Sequence, residues 1–184
     1  EPAIAQDQAR RGFIALGFGP SAPLGSFADA SSGSARAGRA MPGTTNMLLS
    51  LGYRFREHLG VSASISNSEY EMRDSGGEEW WDVATFTAGP TYSLRLNARA
   101  WLDLKAMVAR IALTQVIDSY TFASGEGTGR GLGVDMRAAV RYNVFRRWAI
   151  FAEGGLQSAS VTMSSGVRKD YQALISGLGI AFAW

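Results

Sequence analysis

The 184-residue chain contains no cysteine and a single histidine, His58. The lack of cysteine excludes disulfides, thiolate metal ligands and a lipidated N-terminal cysteine. No run of about 18 apolar residues occurs, which excludes a transmembrane helix. Charged residues make up only 18% of the chain, against about 25% in an average soluble domain. The net charge of +2 is small and the basic residues are spread along the chain, so no nucleic-acid partner is expected.

Glycine is abundant, with 22 residues, and apolar and small or polar residues alternate with a period of two through most of the chain. Stretches such as "LGVSASIS" and "GLGVDMRAAVRYNV" show this alternation, which is typical of β-strands. The pattern predicts eight strands. Many of them reach the length of about ten residues that a tilted strand needs to cross a bilayer.

The predicted connections alternate in character along the chain. Longer polar loops are expected at about 20–43, 72–79, 118–130 and 164–169, and tight turns near 56–59, 94–98 and 145–148. We expect one domain, residues 12–184, preceded by an N-terminal segment, residues 1–11. Ala3-Ile4-Ala5 has the small-x-small form of a signal-peptidase site, and an ordinary leader segment explains it equally well.

Two architectures produce this alternation. A soluble barrel hides its large apolar residues inside, whereas a membrane barrel turns them outward and keeps a small or polar interior. The residues that alternate with the large ones are mostly Gly, Ser, Thr and Ala rather than a dense set of Lys and Glu. The sequence therefore predicts an all-β fold, an eight-stranded antiparallel up-and-down transmembrane β-barrel.

Isolated charges support this assignment because they fall on the small-residue side of their strands. A charge that faced lipid at the bilayer midplane would cost about 2–4 kcal/mol, whereas charges of both signs can pair inside the barrel. We predict a lumen charge network of Arg54, Asp103, Lys105, Asp135, Arg137, Arg141 and Glu153. Solvated charges on a soluble barrel are the alternative.

Aromatic residues are expected to form two belts, because Tyr and Trp favour the interfaces of a membrane. At the tight-turn ends of the strands the predicted belt contains Phe55, Tyr92, Tyr142, Phe145, Trp148 and Trp184. At the long-loop ends it contains Tyr70, Trp80, Trp81, Tyr120 and Phe122.

With these features the chain resembles the small outer-membrane barrels of Gram-negative bacteria, the OmpA transmembrane-domain and OmpX-like family. The resemblance rests on the eight strands, the alternating connections and the final strand "GLGIAFAW". In that family, a last strand with a terminal aromatic residue is the signal read by the barrel-assembly machinery. The resemblance thus implies an assembly signal at Ile180, Phe182 and Trp184.

The resemblance also implies an outer-membrane location, with both termini in the periplasm and four longer loops outside the cell. Membrane lipid and lipopolysaccharide are the implied partners, besides the assembly machinery. The leading hypothesis is a non-enzymatic protein with structural, adhesion or docking roles. The alternatives are a narrow, porin-like pore for small solutes or ions, and an accessory subunit that binds an envelope protein.

No enzymatic activity, cofactor or metal is expected. Enzymes among small barrels use a His near the outer leaflet, but His58 lies in a tight turn at the predicted periplasmic end. The acidic residues Glu69, Glu71, Asp74, Glu78 and Glu79 could offer oxygen ligands to a cation, although they lack the spacing of a calcium loop and suit a solvated charge run better. Arg110 falls on the lipid side, where either it contacts a lipopolysaccharide phosphate or a bulge turns it inward.

Overall fold

The computed structural model describes residues 11–30, 38–73, 76, 79–117 and 127–184. Each strand pairs antiparallel with the next, and the last pairs with the first, so the sheet closes into a barrel. The predicted fold class is confirmed. The strands are β1 (Gly12–Pro23), β2 (Gly43–Arg54), β3 (Leu59–Glu71), β4 (Glu79–Arg95), β5 (Ala100–Ile117), β6 (Gly127–Asn143), β7 (Trp148–Met163) and β8 (Arg168–Ala183).

The period-two pattern determines which side of the wall each residue occupies. Large apolar side chains along the strands point outward, as shown by Phe86 and Val134 in mid-strand and by Ile180 near the end of β8, which are 51%, 55% and 52% exposed. Their neighbours in sequence point into the barrel and are small or polar, for example Thr85, Thr87 and Asp135. The barrel therefore has an apolar exterior, the reverse of a soluble barrel.

The strands are strongly staggered. When the strand register is followed once around the wall from Phe13 of β1, it returns to β1 at Pro23, ten residues further along. A stagger of this size goes with strands tilted by about 35–45°. Eight strands leave an interior wide enough only for side chains.

The two ends of the barrel differ in their connections. We call the end with the short connections 55–58, 96–99 and 144–147 the turn end, and the opposite end the loop end. Both termini of the barrel lie at the turn end, where the Trp184 amide donates to the Gly12 carbonyl at 3.0 Å.

Part of the first predicted loop, 20–43, is ordered secondary structure. β1 continues to Pro23 because it keeps pairing with β8, and a single-turn helix, α1 (Gly25–Ala28), follows it. The helix inserts the side chain of Phe27 into the barrel at the loop end. Among the described residues no helix is long and apolar enough to cross a membrane. Of the predicted N-terminal segment, residues 1–11, all but Arg11 lie outside the described residues.

Candidate functional site: the barrel interior and its outer rim

Four charged side chains meet in the middle of the interior. Arg137 of β6 donates to Glu153 of β7 at 2.8 Å and to Asp135 of its own strand at 2.6–3.0 Å. Lys105 of β5 donates to the other oxygen of Glu153 at 2.9 Å. All four are buried. We call Lys105, Asp135, Arg137 and Glu153 the ionic cluster. Its two bases and two acids leave no net charge.

A glycine makes room for this cluster. Gly155 of β7 faces Arg137 across the β6–β7 pair. A Cβ on Gly155 would lie 2.7 Å from Cγ of Arg137 and collide with the Met136 carbonyl. The aliphatic part of the Arg137 side chain lies against the backbone of Gly155. From there the guanidinium reaches both carboxylates.

The remaining predicted lumen charges lie nearer the turn end. Arg141 forms an ion pair with Asp103, with 3.5 Å between Nη2 and Oδ2, and Ser93 donates to the same carboxylate at 2.6 Å. The guanidinium of Arg54 lies over the Trp101 ring, 4.5 Å from its centroid. All seven predicted residues thus face the interior. Six of them are buried and Arg54 is half-buried.

Aromatic side chains fill the interior at the loop end. The Phe27 ring packs against Tyr171, Tyr70 and Trp81 with centroid distances of 5.0, 5.5 and 6.0 Å. The Trp81 indole donates to the Gly38 carbonyl at 2.7 Å, so its one polar atom is satisfied. We call Phe27, Tyr70, Trp81 and Tyr171 the aromatic plug.

The aromatic plug is joined to the ionic cluster by hydrogen bonds. The hydroxyls of Tyr70 and Tyr171 are 3.3 Å apart, and Tyr171 donates to the Gln157 amide oxygen at 3.1 Å. The amide nitrogen of Gln157 donates to Asp135 at 2.8 Å. Side chains thereby occupy the axis continuously from α1 to the middle of the barrel.

The assignment of Trp81 and Tyr70 to an interfacial belt is wrong. Trp81 shares its side of β4 with Val83 and Thr85, and it is only 1% exposed inside the barrel. Tyr70 is fully buried for the same reason on β3. The sequence position of both residues near a loop suggested a belt, but strand parity turns them inward. Trp80 is on the outward side and half-buried, and Tyr120 and Phe122 lie outside the described residues.

The predicted belt residues at the turn end all point outward. Trp148 packs edge-on against Phe182 at 5.2 Å. Of the expected assembly-signal residues, Ile180 and Trp184 are exposed and Phe182 is half-buried. The other predicted belt residues at this end, Phe55, Tyr92, Tyr142 and Phe145, are exposed, and Tyr53 is exposed beside them.

A cavity of about 10 Å³ lies beside the ionic cluster, lined by Ser50, Asp103, Lys105 and Arg141 among others. That volume holds about one water molecule. The Ser50 hydroxyl and the Arg141 Nε are buried without a hydrogen-bond partner, and a water in this cavity would satisfy such groups. The space is far too small for an organic solute.

The predicted candidates for acid–base or metal chemistry do not come together among the described residues. The imidazole Nδ1 of His58 is 2.9 Å from the Ser93 carbonyl, at the turn end. No group of three or more His, Asp or Glu side chains converges in the described part of the chain. Glu69 and Glu71 point outward from β3, whereas Asp74 and Glu78 fall outside the described residues.

Arg110 is exposed on the outside of the wall. Its register is regular, opposite Phe86 on β4 and Leu132 on β6, so no bulge turns it inward. Arg130 and Arg168 also point outward at the loop end. The same strand parity that singled out Arg110 could have identified both.

No family model matches the sequence, and no curated protein matches it. Solved structures do share its architecture. Neisserial surface protein A superposes with a TM-score of 0.67 at 12% identity, covering 93% of this chain and 96% of that one. OprG from Pseudomonas aeruginosa gives 0.60 at 11% identity, covering 96% and 97%. Ail, the attachment invasion locus protein of Yersinia pestis, gives 0.54 at 14%, covering 94% and 99%. The chain therefore has the fold of small outer-membrane β-barrels.

Proposed function

We propose that this protein is a non-enzymatic, integral outer-membrane barrel whose filled interior does not conduct and whose loop end serves adhesion or docking. The outward display of Phe86, Val134 and Ile180 supports the membrane location, because an exposed apolar wall of this extent is stable only against lipid. The similarity in fold to outer-membrane proteins agrees with it.

The observation that carries the non-conducting assignment is the continuous occupation of the axis by the aromatic plug and the ionic cluster. Passage of a hydrated ion would require separating Arg137 from Asp135 and Glu153 inside the barrel, where all three side chains are buried. Breaking such a buried pair costs several kcal/mol. The barrel therefore suits a structural or display role better than a pore.

Planar-bilayer recording of the purified, refolded protein tests this assignment. We expect no discrete channels above the baseline of heat-unfolded protein added from the same detergent. Reproducible single-channel steps would replace the display role with the narrow-pore alternative. Folding of each sample is checked by an SDS gel, on which a folded barrel migrates differently before and after boiling.

We assign the turn end to the periplasm and the loop end to the cell exterior. Short turns on the periplasmic side and longer loops outside are the rule for bacterial barrels. The cysteine-free chain allows a direct test with single cysteines. We expect S165C, in the exposed β7–β8 connection, to react with a membrane-impermeant maleimide in intact cells. R146C, in an exposed turn, should react only after permeabilisation, and the opposite result would reverse the orientation.

The loop end is the surface available for partners outside the cell. An accessory role in an envelope complex would give a stable co-purifying protein from native membranes, and that result would favour docking over adhesion. The C-terminal strand, with Ile180, Phe182 and Trp184, is the segment we assign to recognition by the barrel-assembly machinery.

A further inference from the structure

Three arginines lie on the outer surface of the wall near the loop end. Arg110 of β5, Arg130 of β6 and Arg168 of β8 are all exposed on the side of the strands that carries Val108 and Leu132. An arginine that faces hydrocarbon at the midplane costs about 2–4 kcal/mol, and the cost falls to about 0–1 kcal/mol near the interface. Arg130 and Arg168 lie close to the loop end, which indicates the headgroup level of the leaflet. Arg110 lies deeper, opposite Phe86, and its long side chain can extend from there towards the same level.

The register brings these arginines together. Thr162 of β7 pairs with Arg130 on one side and with Arg168 on the other, so the three residues form a row across neighbouring strands. At about 4.8 Å per strand, the backbones of the two arginines are roughly 10 Å apart. Arg110 lies on the next strand, diagonal to Arg130 and one outward-facing position deeper. Its side chain can reach the same ligand.

Much of this positive charge is not paired with another described residue of the protein. The guanidinium groups of Arg110 and Arg130 make no hydrogen bond or ion pair with any described residue. The Nε of Arg168 donates to the Ser160 hydroxyl, which donates to Asp170 at 3.1 Å. The outer nitrogens of all three guanidinium groups therefore remain available to an external anion.

Among the residues that the structure describes, outward-facing acids at the loop end are concentrated in a different sector of the wall. Glu69 of β3 and Asp82 of β4 are directly opposite each other, and Glu71 follows on the outward side of β3. Within the described part of the chain, Asp170 is the one outward-facing acid near the basic sector on β5, β6 and β8. The rim at this level is thus divided into an acidic and a basic sector.

We propose that Arg110, Arg130, Thr162 and Arg168 bind the phosphate groups of a phosphorylated glycolipid in the outer leaflet. Guanidinium groups pair with phosphate oxygens through two parallel N–H donors, and the Thr162 hydroxyl is a further donor between them. The apolar surface below, which includes Leu132 and Val134, would contact the acyl chains of the same lipid. A lipid, rather than a free anion, satisfies both parts of this surface.

Binding of lipid A to the folded full chain in detergent micelles tests the proposal. The two probes are lipid A with both phosphates and the same lipid after enzymatic dephosphorylation, each titrated by fluorescence. We expect the wild type to bind the phosphorylated form at least about tenfold more tightly, since charged hydrogen bonds to phosphate are strong. The triple variant R110Q/R130Q/R168Q should bind the two lipids within about twofold of each other.

A matched variant separates the site from general electrostatics. R99Q/R146Q/R147Q removes the same charge from exposed residues at the turn end and should keep the tenfold preference. Equal losses in the two triple variants, or no preference in the wild type, would overturn the proposal. Competition by millimolar inorganic phosphate would identify a free-phosphate site instead and would overturn it as well.

Folding and orientation are tested apart from binding. Each variant is used only in its heat-modifiable form, and R130Q alone replaces the triple variant if that does not fold. The site rests on the orientation proposed above, because only the outer leaflet presents this lipid to the loop end. Cysteine labelling reports the orientation in cells, so a failed binding test and a failed orientation are distinguishable.

Discussion

Arg137 of β6 and Glu153 of β7 form an ion pair inside the barrel, with 2.8 Å between Nη1 and Oε1. The Arg137 side chain is inaccessible to solvent and that of Glu153 is 3% exposed. Asp135 binds the other side of the same guanidinium. Arg137 is therefore the centre on which two buried carboxylates depend.

Replacing Arg137 by Met should destabilise the barrel by about 3–5 kcal/mol, because it leaves the buried Asp135 without a cation and Glu153 with Lys105 alone. Urea unfolding from lipid vesicles, followed by tryptophan fluorescence, measures the change in the free energy of unfolding. R99M removes an exposed arginine in a turn and should remain within about 0.5 kcal/mol of the wild type. Equal effects of the two changes would mean that the ionic cluster contributes nothing to stability.

Because alternate β6 side chains face outward, the cost in stability of placing a charge on this face should depend on its depth in the membrane. Val134→Arg, in the middle of the exposed face, should cost about 2–4 kcal/mol in vesicles, whereas Thr128→Arg near the loop end should cost only about 0–1 kcal/mol. The two variants carry the same new side chain on the same side of the same strand. Equal costs in urea unfolding would contradict the placement of this face in lipid.

Trp81 and Trp148 should differ in their contact with lipid. Trp81 is buried in the aromatic plug, whereas Trp148 is 48% exposed on the outer surface. In variants that keep one tryptophan and replace the others by Phe, we expect brominated lipids to quench Trp148 strongly and Trp81 weakly. Strong quenching of Trp81 would restore its assignment to the interfacial belt.

Phe27 should contribute to stability although it lies in a four-residue helix. Phe27→Ala would leave a cavity among three aromatic rings, and such truncations cost about 3–5 kcal/mol where the site cannot collapse. The exposed Phe145→Ala, in a turn, is the matched control and should cost much less. The measurement is urea unfolding as above, and a negligible loss for Phe27→Ala would show that α1 is not docked in solution.

Removal of the terminal aromatic should affect assembly in cells more than folding in vitro. We expect Trp184→Ala to lower the amount of folded barrel in the outer membrane, and Trp184→Phe to retain it. Both variants should refold in detergent with wild-type yield. If Trp184→Ala fails equally in both settings, its role is packing at the β1–β8 closure rather than recognition.

The sequence predicted the barrel because alternation with a period of two runs through most of the strands, although an irregularity interrupts it in β2 between Thr45 and Met47. Strand parity also indicates on which side of the wall a charged residue lies, because successive side chains in a strand point to opposite faces. It did not predict that the loop-end part of the interior is filled by large side chains such as Ile111 and Leu113. There both sides of the strand carry apolar residues, and local pattern alone does not separate them.

The burial of Phe27 and Trp81 inside the barrel was not predicted, for a related reason. The composition of the stretch 20–43 indicates a loop, and nothing local reveals that α1 folds back into the barrel. Its position depends on tertiary contacts with Tyr70 and Tyr171, which come from β3 and β8. Contacts between residues so distant in sequence cannot be predicted from a short window of residues.

The ionic cluster draws all its members from β5, β6 and β7, three consecutive strands joined as hairpins. Forming it closes only short lengths of chain, whereas pairing of β1 with β8 must bring together segments at opposite ends of the sequence, and long closures are entropically the slowest. The salt bridges can therefore assemble in an open, curved sheet, and the seam between the first and last strands closes over an interior that is already largely neutralised.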